Sequence, residues 1–378
     1  MSRFGDLGGR LYRGDFSFNI VGNKRLWYSV SAGLIVLALV GLLVRGLNLG
    51  IEFKGGAEFY VPSASCEIQD VREAVADTGV EAAAVTEIGS QNIRAQTAAV
   101  TPEQGRAIVD ALATTCDVSA DQVSSRDVGP TWGGEITRTA LIGLAVFLSL
   151  LAVFLTVYFQ WKMAVAALVA LAHDIVITAG IYALVGFEVT PATVIGLLTI
   201  LGFSLYDTVV VFDKVRENTK GITGQSRYTY SELANLALNQ TIIRSINTSI
   251  VALLPVASIL FVGAFLLGAG ALKDLALVLF IGTAVGTYSS IFVATPVLCQ
   301  MEEREPAMKA LAARVMKRRA ARGEAPTPGG TAPAESQKAA VGSDAGGVAT
   351  AVDRPHRQHR DAGTRVQPKR QSRSKRKH

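Results

Sequence analysis

The sequence predicts an α-helical membrane protein: six transmembrane helices with one α+β domain held outside the membrane. Three observations carry that prediction. Of 378 residues, 49% are hydrophobic and only 18% charged, and the mean hydropathy is +0.33, too apolar for an ordinary soluble domain. Six separate windows are long enough for a hydrocarbon core, which needs about 20 apolar residues. Lys and Arg are also unevenly shared between the two sides that six alternating spans define.

The windows are 26–44, 139–161, 163–185, 191–212, 246–268 and 275–298. Each should be helical, because lipid offers no water to unpaired backbone groups. The N-terminal segment, 1–25, carries Arg3, Arg10, Arg13, Lys24 and Arg25, and the loop after the fourth window carries Lys214, Arg216, Lys220 and Arg227. The tail, 299–378, ends PKRQSRSKRKH. Six alternating spans put all three on one side, which the positive-inside bias makes cytoplasmic. A multi-pass plasma-membrane protein with both termini in the cytoplasm is therefore expected. The first span, 26–45, reads as a retained anchor, since no small-x-small cleavage site follows its apolar run.

The insertion at 46–133 falls on the opposite side and holds thirteen Asp/Glu against five Lys/Arg. Within it, 57–61 alternates like a strand and 67–78 fits an amphipathic helix. Residues 81–88 and 92–99 suit a hairpin around Gly89–Ser90, Pro102 starts a helix running to about Thr115, and 122–128 makes a last strand. The order βαββαβ is the ferredoxin-like split arrangement. That topology places the start of the first helix and the end of the second at one edge of the sheet. Cys66 and Cys116 occupy those places, in a compartment where disulfides persist, so the geometry permits a bridge. Cys299, at the other end of the chain's last span, reads as an inert buried thiol.

Residues 139–298 supply spans two to six, with tight hairpins near 159–162 and 268–274. From about Gly323 the tail is rich in Pro, Gly, Ala, Ser and Lys/Arg without apolar periodicity, so disorder is expected. It reads as a solvated tail or as a binder of anionic lipid or RNA-containing particles, with no specific nucleic-acid site. Pro191, Pro255 and Pro296 announce kinks or local breaks, and the Gly282-x-x-x-Gly286 pair permits close helix approach.

Ionisable residues inside the spans are few: His173 and Asp174 in the third, Asp207 in the fourth, and Arg244 where the fifth window begins. A charge at the bilayer centre costs roughly 2.5–3.5 kcal/mol on insertion scales, so such groups face protein or water and usually have partners. Asp207 lies about 9 Å inside the cytoplasmic end of its span at 1.5 Å per residue. A long guanidinium stem reaches inward, which makes an Asp207–Arg244 contact sterically reasonable. Two readings of Asp207 stand. It is a static clamp bonded to hydroxyls such as Ser204 or Thr208, or a relay that takes up a proton when its partner leaves. The His173–Asp174 pair reads as a helix bridge; without further ligands it makes no metal site. No Gly-x4-Gly-Lys-Ser/Thr loop, His-Glu-x-x-His motif or Ser/His/Asp pattern occurs. An enzyme is not expected, nor a cofactor or metal, and any work must draw on an ion gradient or a partner.

At GFSLYDTVVVFDKVREN, 202–218, the sequence resembles the SecF family of the bacterial SecD–SecF protein-export complex, a relative of the RND transporters. The likeness continues in AHDIVIT at 172–178, NQTIIRSINTSIVALLPV at 239–256, GIEFKGG at 50–56 and DFSFNIVGNKRLWYSVS at 15–31. It covers most of 15–300 in the family's order, and the basic tail beyond looks like that of actinobacterial members. The resemblance implies an RND-like half bundle that works with SecD, the SecYEG translocon, a YidC-like insertase, membrane lipids and the exported unfolded polypeptide. It implies that the proton-motive force drives a late stage of export, with Asp207 and Arg244 as the proton relay and His173, Asp174 and Tyr206 as supporting polar residues. Alternatives are an RND-type exporter half, which this chain is short for, and a non-energised scaffold of the translocon. Two positions depart from the family pattern: Tyr206 stands where Asn is common before the aspartate, and Glu52 replaces the usual Asp.

Overall fold

A computed structural model describes residues 18–62, 66–88, 92–266 and 270–323. The chain enters through a first long helix, Lys24–Val44 (α1), and a short strand, Asn48–Leu49 (β1). A single helical turn, Ile51–Lys54 (α2), follows and leads into the α+β domain. That domain runs Gly56–Pro62 (β2), Ile68–Asp77 (α3), Ala82–Ile88 (β3), Asn92–Thr97 (β4), Pro102–Thr115 (α4) and Ser124–Val128 (β5). The remaining elements are Pro130–Tyr158 (α5), Trp161–Val185 (α6), the strand Glu188–Val189 (β6), Pro191–Thr219 (α7), Tyr230–Ser258 (α8), Gly270–Ser289 (α9), Thr295–Glu303 (α10) and Pro306–Ala321 (α11). Among the described residues, six helices are long and apolar enough to cross a membrane: Lys24–Val44, Thr131–Tyr158, Trp161–Val185, Pro191–Gly224, Tyr230–Gly263 and Leu272–Glu303.

Every expected span is present, but two begin earlier than hydropathy places them. The second starts at Pro130, a residue preset for the first helical turn. The fifth starts at Tyr230, where Thr229 and Glu232 form a reciprocal capping box. Its first four turns are polar enough to escape a hydropathy window yet are locked by packing. Asn235 accepts from the Ile20 and Val21 amides and, with Asn239, donates to the Phe18 carbonyl. The tight turn near 159–162 is observed, with α5 ending at Tyr158 and α6 starting at Trp161; the apex of the second expected hairpin lies outside the described residues.

Of the three prolines, only Pro255 lies inside an α-helix. It cannot donate to the carbonyl one turn back, and the helix widens into π geometry at Ile259–Leu266. A second π segment, Ser290–Ala294, directly precedes Pro296, which stands in the first turn of α10. Pro191 opens α7 and is a start signal, not a kink.

Helices approach closely where glycine removes a side chain. A Cβ on Gly180 of α6 would lie 2.1 Å from Ala38 Cβ and 2.4 Å from Ala38 Cα on α1. Between α7 and α9, a Cβ on Gly286 would meet Ser204 Cβ at 2.8 Å, and one on Gly282 would run into Ile200. The Gly-x-x-x-Gly pair thus sets the contact between α9 and the helix that carries Asp207.

The α+β domain is a four-stranded sheet in the order β3-β4-β2-β5, every neighbouring pair antiparallel. Strand alternation sends Ala57, Phe59, Val61, Ile93 and Ala95 into a core with Val71, Val75, Ile108 and Leu112 of the two helices. Cys66 and Cys116 are joined by a disulfide in that core.

The opposite sheet face carries Glu58, Tyr60, Arg94 and Gln96, and there the domain meets the bundle. Arg94 Nη2 lies 2.9 Å from Glu188 Oε2. Gln96 donates to Glu188 Oε1 at 2.8 Å and to Glu58 Oε1 at 2.7 Å, while the Tyr60 hydroxyl donates to Glu58 at 2.8 Å. Burial and the adjacent Glu58 push the Tyr60 phenol up to about 12, so it remains a donor. Beside this cluster β1 pairs in parallel with β6, and the Gly50 amide donates to the Val189 carbonyl. Glu52, at the position where the family pattern has Asp, reaches Arg126 of β5 at 3.3 Å.

At the other end of the bundle, residues 18–24, the α7–α8 loop and the last helices gather. Lys24 pairs with Glu303, the buried Lys162 with Glu302 and Glu305, and Arg319 of α11 with Glu232. The expected tail boundary at 299 is corrected accordingly. Residues up to Glu303 complete the last span. Pro306–Ala321 is a helix with Leu311 and Val315 fully buried, because its apolar stripe and Arg319 find partners on the bundle. Residues 324–378 lie outside the described residues.

Candidate functional site

Three helices bring small hydroxyl side chains to the bundle interior at four-residue spacing, one per turn on a single face. They are Ser204 and Thr208 on α7, Thr241, Ser245 and Ser249 on α8, and Thr283 with Thr287 on α9, followed by Ser290 in the π segment. Asp207 of α7 and Asp174 of α6 stand among them, 3% and 2% exposed.

The two acids differ in how they are satisfied. Asp174 Oδ2 accepts from Ser204 Oγ at 2.6 Å, and its Oδ1 lies 3.3 Å from His173 Nδ1. The His173 ring stacks on Tyr288, with centroids 6.0 Å apart, and its Nε2 is buried without a partner. Asp207 has one buried oxygen, Oδ2, with no hydrogen-bond partner. The neighbouring hydroxyl is Ser245 Oγ on α8, which is itself fully buried and unpaired. Such groups are rare in folded proteins, since each costs roughly 1–3 kcal/mol of lost hydration.

Thr208 links this face to α9. Its hydroxyl donates to Ser290 Oγ at 3.0 Å and to the Ser204 carbonyl at 3.1 Å. Ser290 donates to the Gly286 carbonyl at 2.8 Å and to the Ser204 carbonyl at 3.1 Å. Thr287 donates to Ser249 at 2.7 Å. The hydroxyls therefore bridge three helices around the acids.

Two sequence-based expectations need correction. Arg244 does not meet Asp207: its side chain is exposed and lines a cavity of about 540 Å³ with Tyr158, Asp213, Lys214, Glu217 and Gln240. The residue that turns inward is Ser245, one position and about 100° further round the helix. Facing away from the bundle interior spares the guanidinium the burial that a place beside Asp207 would impose. Tyr206 does not share a face with Asp207. It is 59% exposed on the outer side of α7, because adjacent helix positions do not share a face. Ser204 and Thr208 were candidates from the sequence, but the hydroxyls of α8 and α9 went unrecognised, although their four-residue spacing on α8 was available as a signal.

Residues 108–304 match the family described as "Protein export membrane protein SecD/SecF, C-terminal", and 40–63 match the "SecD/SecF GG Motif". The latter covers the junction of α1, α2 and β2. There a Cβ on Gly56 would lie 2.5 Å from the Thr97 carbonyl oxygen. The "Protein translocase subunit SecF" of Streptomyces coelicolor is 50% identical over 85% of this chain and 86% of its own length. That of Mycobacterium tuberculosis H37Rv is 45% identical over 87% and 78%. The solved structure of SecDF, a translocon-associated membrane protein from Thermus thermophilus, aligns with a TM-score of 0.69 at 31% identity, over 77% of this chain and 39% of that one. The chain belongs to the SecD/SecF family of protein-export membrane proteins, and its curated relatives there are SecF translocase subunits.

Proposed function

We propose that this chain is a SecF-like subunit that uses the proton-motive force, together with SecD, to promote late stages of protein export across the plasma membrane. The observation that carries this reading is Asp207: a carboxylate buried in a spanning helix, with one oxygen unsatisfied and the Ser245 hydroxyl of the next helix beside it. Removing an acid from water without a partner is costly, so a chain that keeps one there gains if the group changes its protonation. His173 and Asp174 support the site through Ser204. Arg244 serves at the cavity on the cytoplasmic side, where a repacking of α7 against α8 brings it within reach of Asp207.

The match to 39% of the SecDF chain of Thermus thermophilus supports SecD as the partner that supplies the other half of the membrane unit. SecYEG, a YidC-like insertase, the unfolded polypeptide and membrane lipids complete the proposed set of partners. Residues 1–25 and 299–378 are assigned to the cytoplasm and 46–133 to the outer side. The charge bias supports this, as does the gathering of residues 18–24 with α11 at the end opposite the α+β domain. The βαββαβ order and antiparallel sheet support a ferredoxin-like outer domain. The role is transport, with no chemical reaction assigned.

The test is export into inverted vesicles carrying this chain with its SecD. Asp207→Asn is expected to assemble normally and lose the gradient-dependent part of export. Stimulation equal to that of the unaltered chain would refute the relay and favour a scaffold, whose effect persists after the gradient is collapsed.

A further inference from the structure

Glu188 joins two parts of the molecule that the sequence keeps far apart. It lies in β6, two residues before Thr190 caps α7, the helix of Asp207. Its carboxylate is taken by Arg94 at 2.9 Å and Gln96 at 2.8 Å, both from the central strand β4 of the α+β domain. The cluster is largely enclosed, with side-chain exposures of 12% for Glu188, 20% for Arg94 and 5% for Glu58. Burial works against the charge on Arg94, yet Glu188 and Glu58 outweigh it and hold the guanidinium pKa above its ordinary value. Two features stiffen the joint. The β1–β6 pairing ties the connector from α1 to the connector into α7. A Cβ on Gly50 would come within 2.7 Å of Glu52 Oε2 and 3.1 Å of Glu188 Oε1, so the backbone is pressed against these acids.

We infer that Glu188, held by Arg94 and Gln96, is a positioning residue that makes the outer domain and the start of α7 one rigid body. A movement of the Asp207 helix is thereby delivered to the domain without loss in a flexible linker. An enclosed, doubly bonded carboxylate suits this role, because breaking one partner of such a cluster leaves charge unpaired in a poor solvent. The inference rests on the proton-driven reading for its purpose, but the joint itself is tested separately.

The experiment uses the full chain with SecD in proteoliposomes, spin-labelled at Asp110→Cys on α4 and Val185→Cys at the end of α6, both exposed positions. The unaltered joint should give one narrow distance. Glu188→Ala should broaden that distance and reduce gradient-stimulated export several-fold, leaving gradient-independent export unchanged; Arg94→Lys, which keeps the charge, should retain part of both. Chemical cross-linking of Leu49→Cys to Val189→Cys, which are paired across β1 and β6, should leave stimulated export intact. A narrow distance in Glu188→Ala, or loss of stimulation on cross-linking, would overturn the rigid joint. Export that ignores the gradient in the unaltered chain would sink the proton reading alone, while the Glu188→Ala distance would still decide the joint.

Discussion

Asp174 and Asp207 show at single-residue scale how neighbours divide labour between two buried acids. Asp174 has a hydroxyl donor in Ser204 and a histidine beside it, which suits a group that stays put. Asp207 lacks a partner for one oxygen, which suits a group that changes state. Ser204→Ala removes the short bond to Asp174, and we expect a loss of about 1–3 kcal/mol, measured by thermal unfolding in detergent, where unchanged stability would contradict it. Tyr206 points away from both acids. Tyr206→Phe is therefore expected to leave gradient-dependent export unchanged, and a marked loss would place its hydroxyl in the relay after all. The acids themselves were legible in the sequence because charge in an apolar run stands out. Their true neighbours were not: a serine carries little hydropathy signal, and Arg244 drew attention by charge when its neighbour Ser245 faces the site.

Among the elements, the hydropathy windows located all six spans, because each helix must hide its backbone from lipid. They missed the early start of α8, where capping and the Asn235 and Asn239 bonds to residues 18–21, not apolarity, extend the helix. The same blindness hid α11, whose buried stripe rests on an ion pair with Glu232 as much as on leucine and valine. Close helix contacts leave a plainer trace. Gly180 faces Ala38 backbone so tightly that any side chain must push α1 from α6. Gly180→Ala is expected to cost about 1–3 kcal/mol by overpacking, read as a lowered unfolding midpoint; an unchanged midpoint would mean that α1 shifts freely.

The molecule as a whole places its polar network inside the bundle, its charged joint at one end and its docked terminal helices at the other. The six spans were readable from hydropathy, and the βαββαβ order of the α+β domain from its strand and helix patterns. The joint was not readable, since Glu188, Arg94 and Gln96 meet only once the sheet has folded onto the bundle. An electrochemical gradient of 100 mV supplies about 2.3 kcal/mol per charge. Under the proposed relay, one proton taken up at Asp207 would bias a domain movement without overwhelming the packing that restores it. The most direct measurement of that claim is proton flux into proteoliposomes holding this chain with SecD, followed by an internal pH dye under an imposed potential. Flux that Asp207→Asn abolishes while Tyr206→Phe preserves it is the result expected here; equal flux through Asp207→Asn and the unaltered chain would contradict the relay.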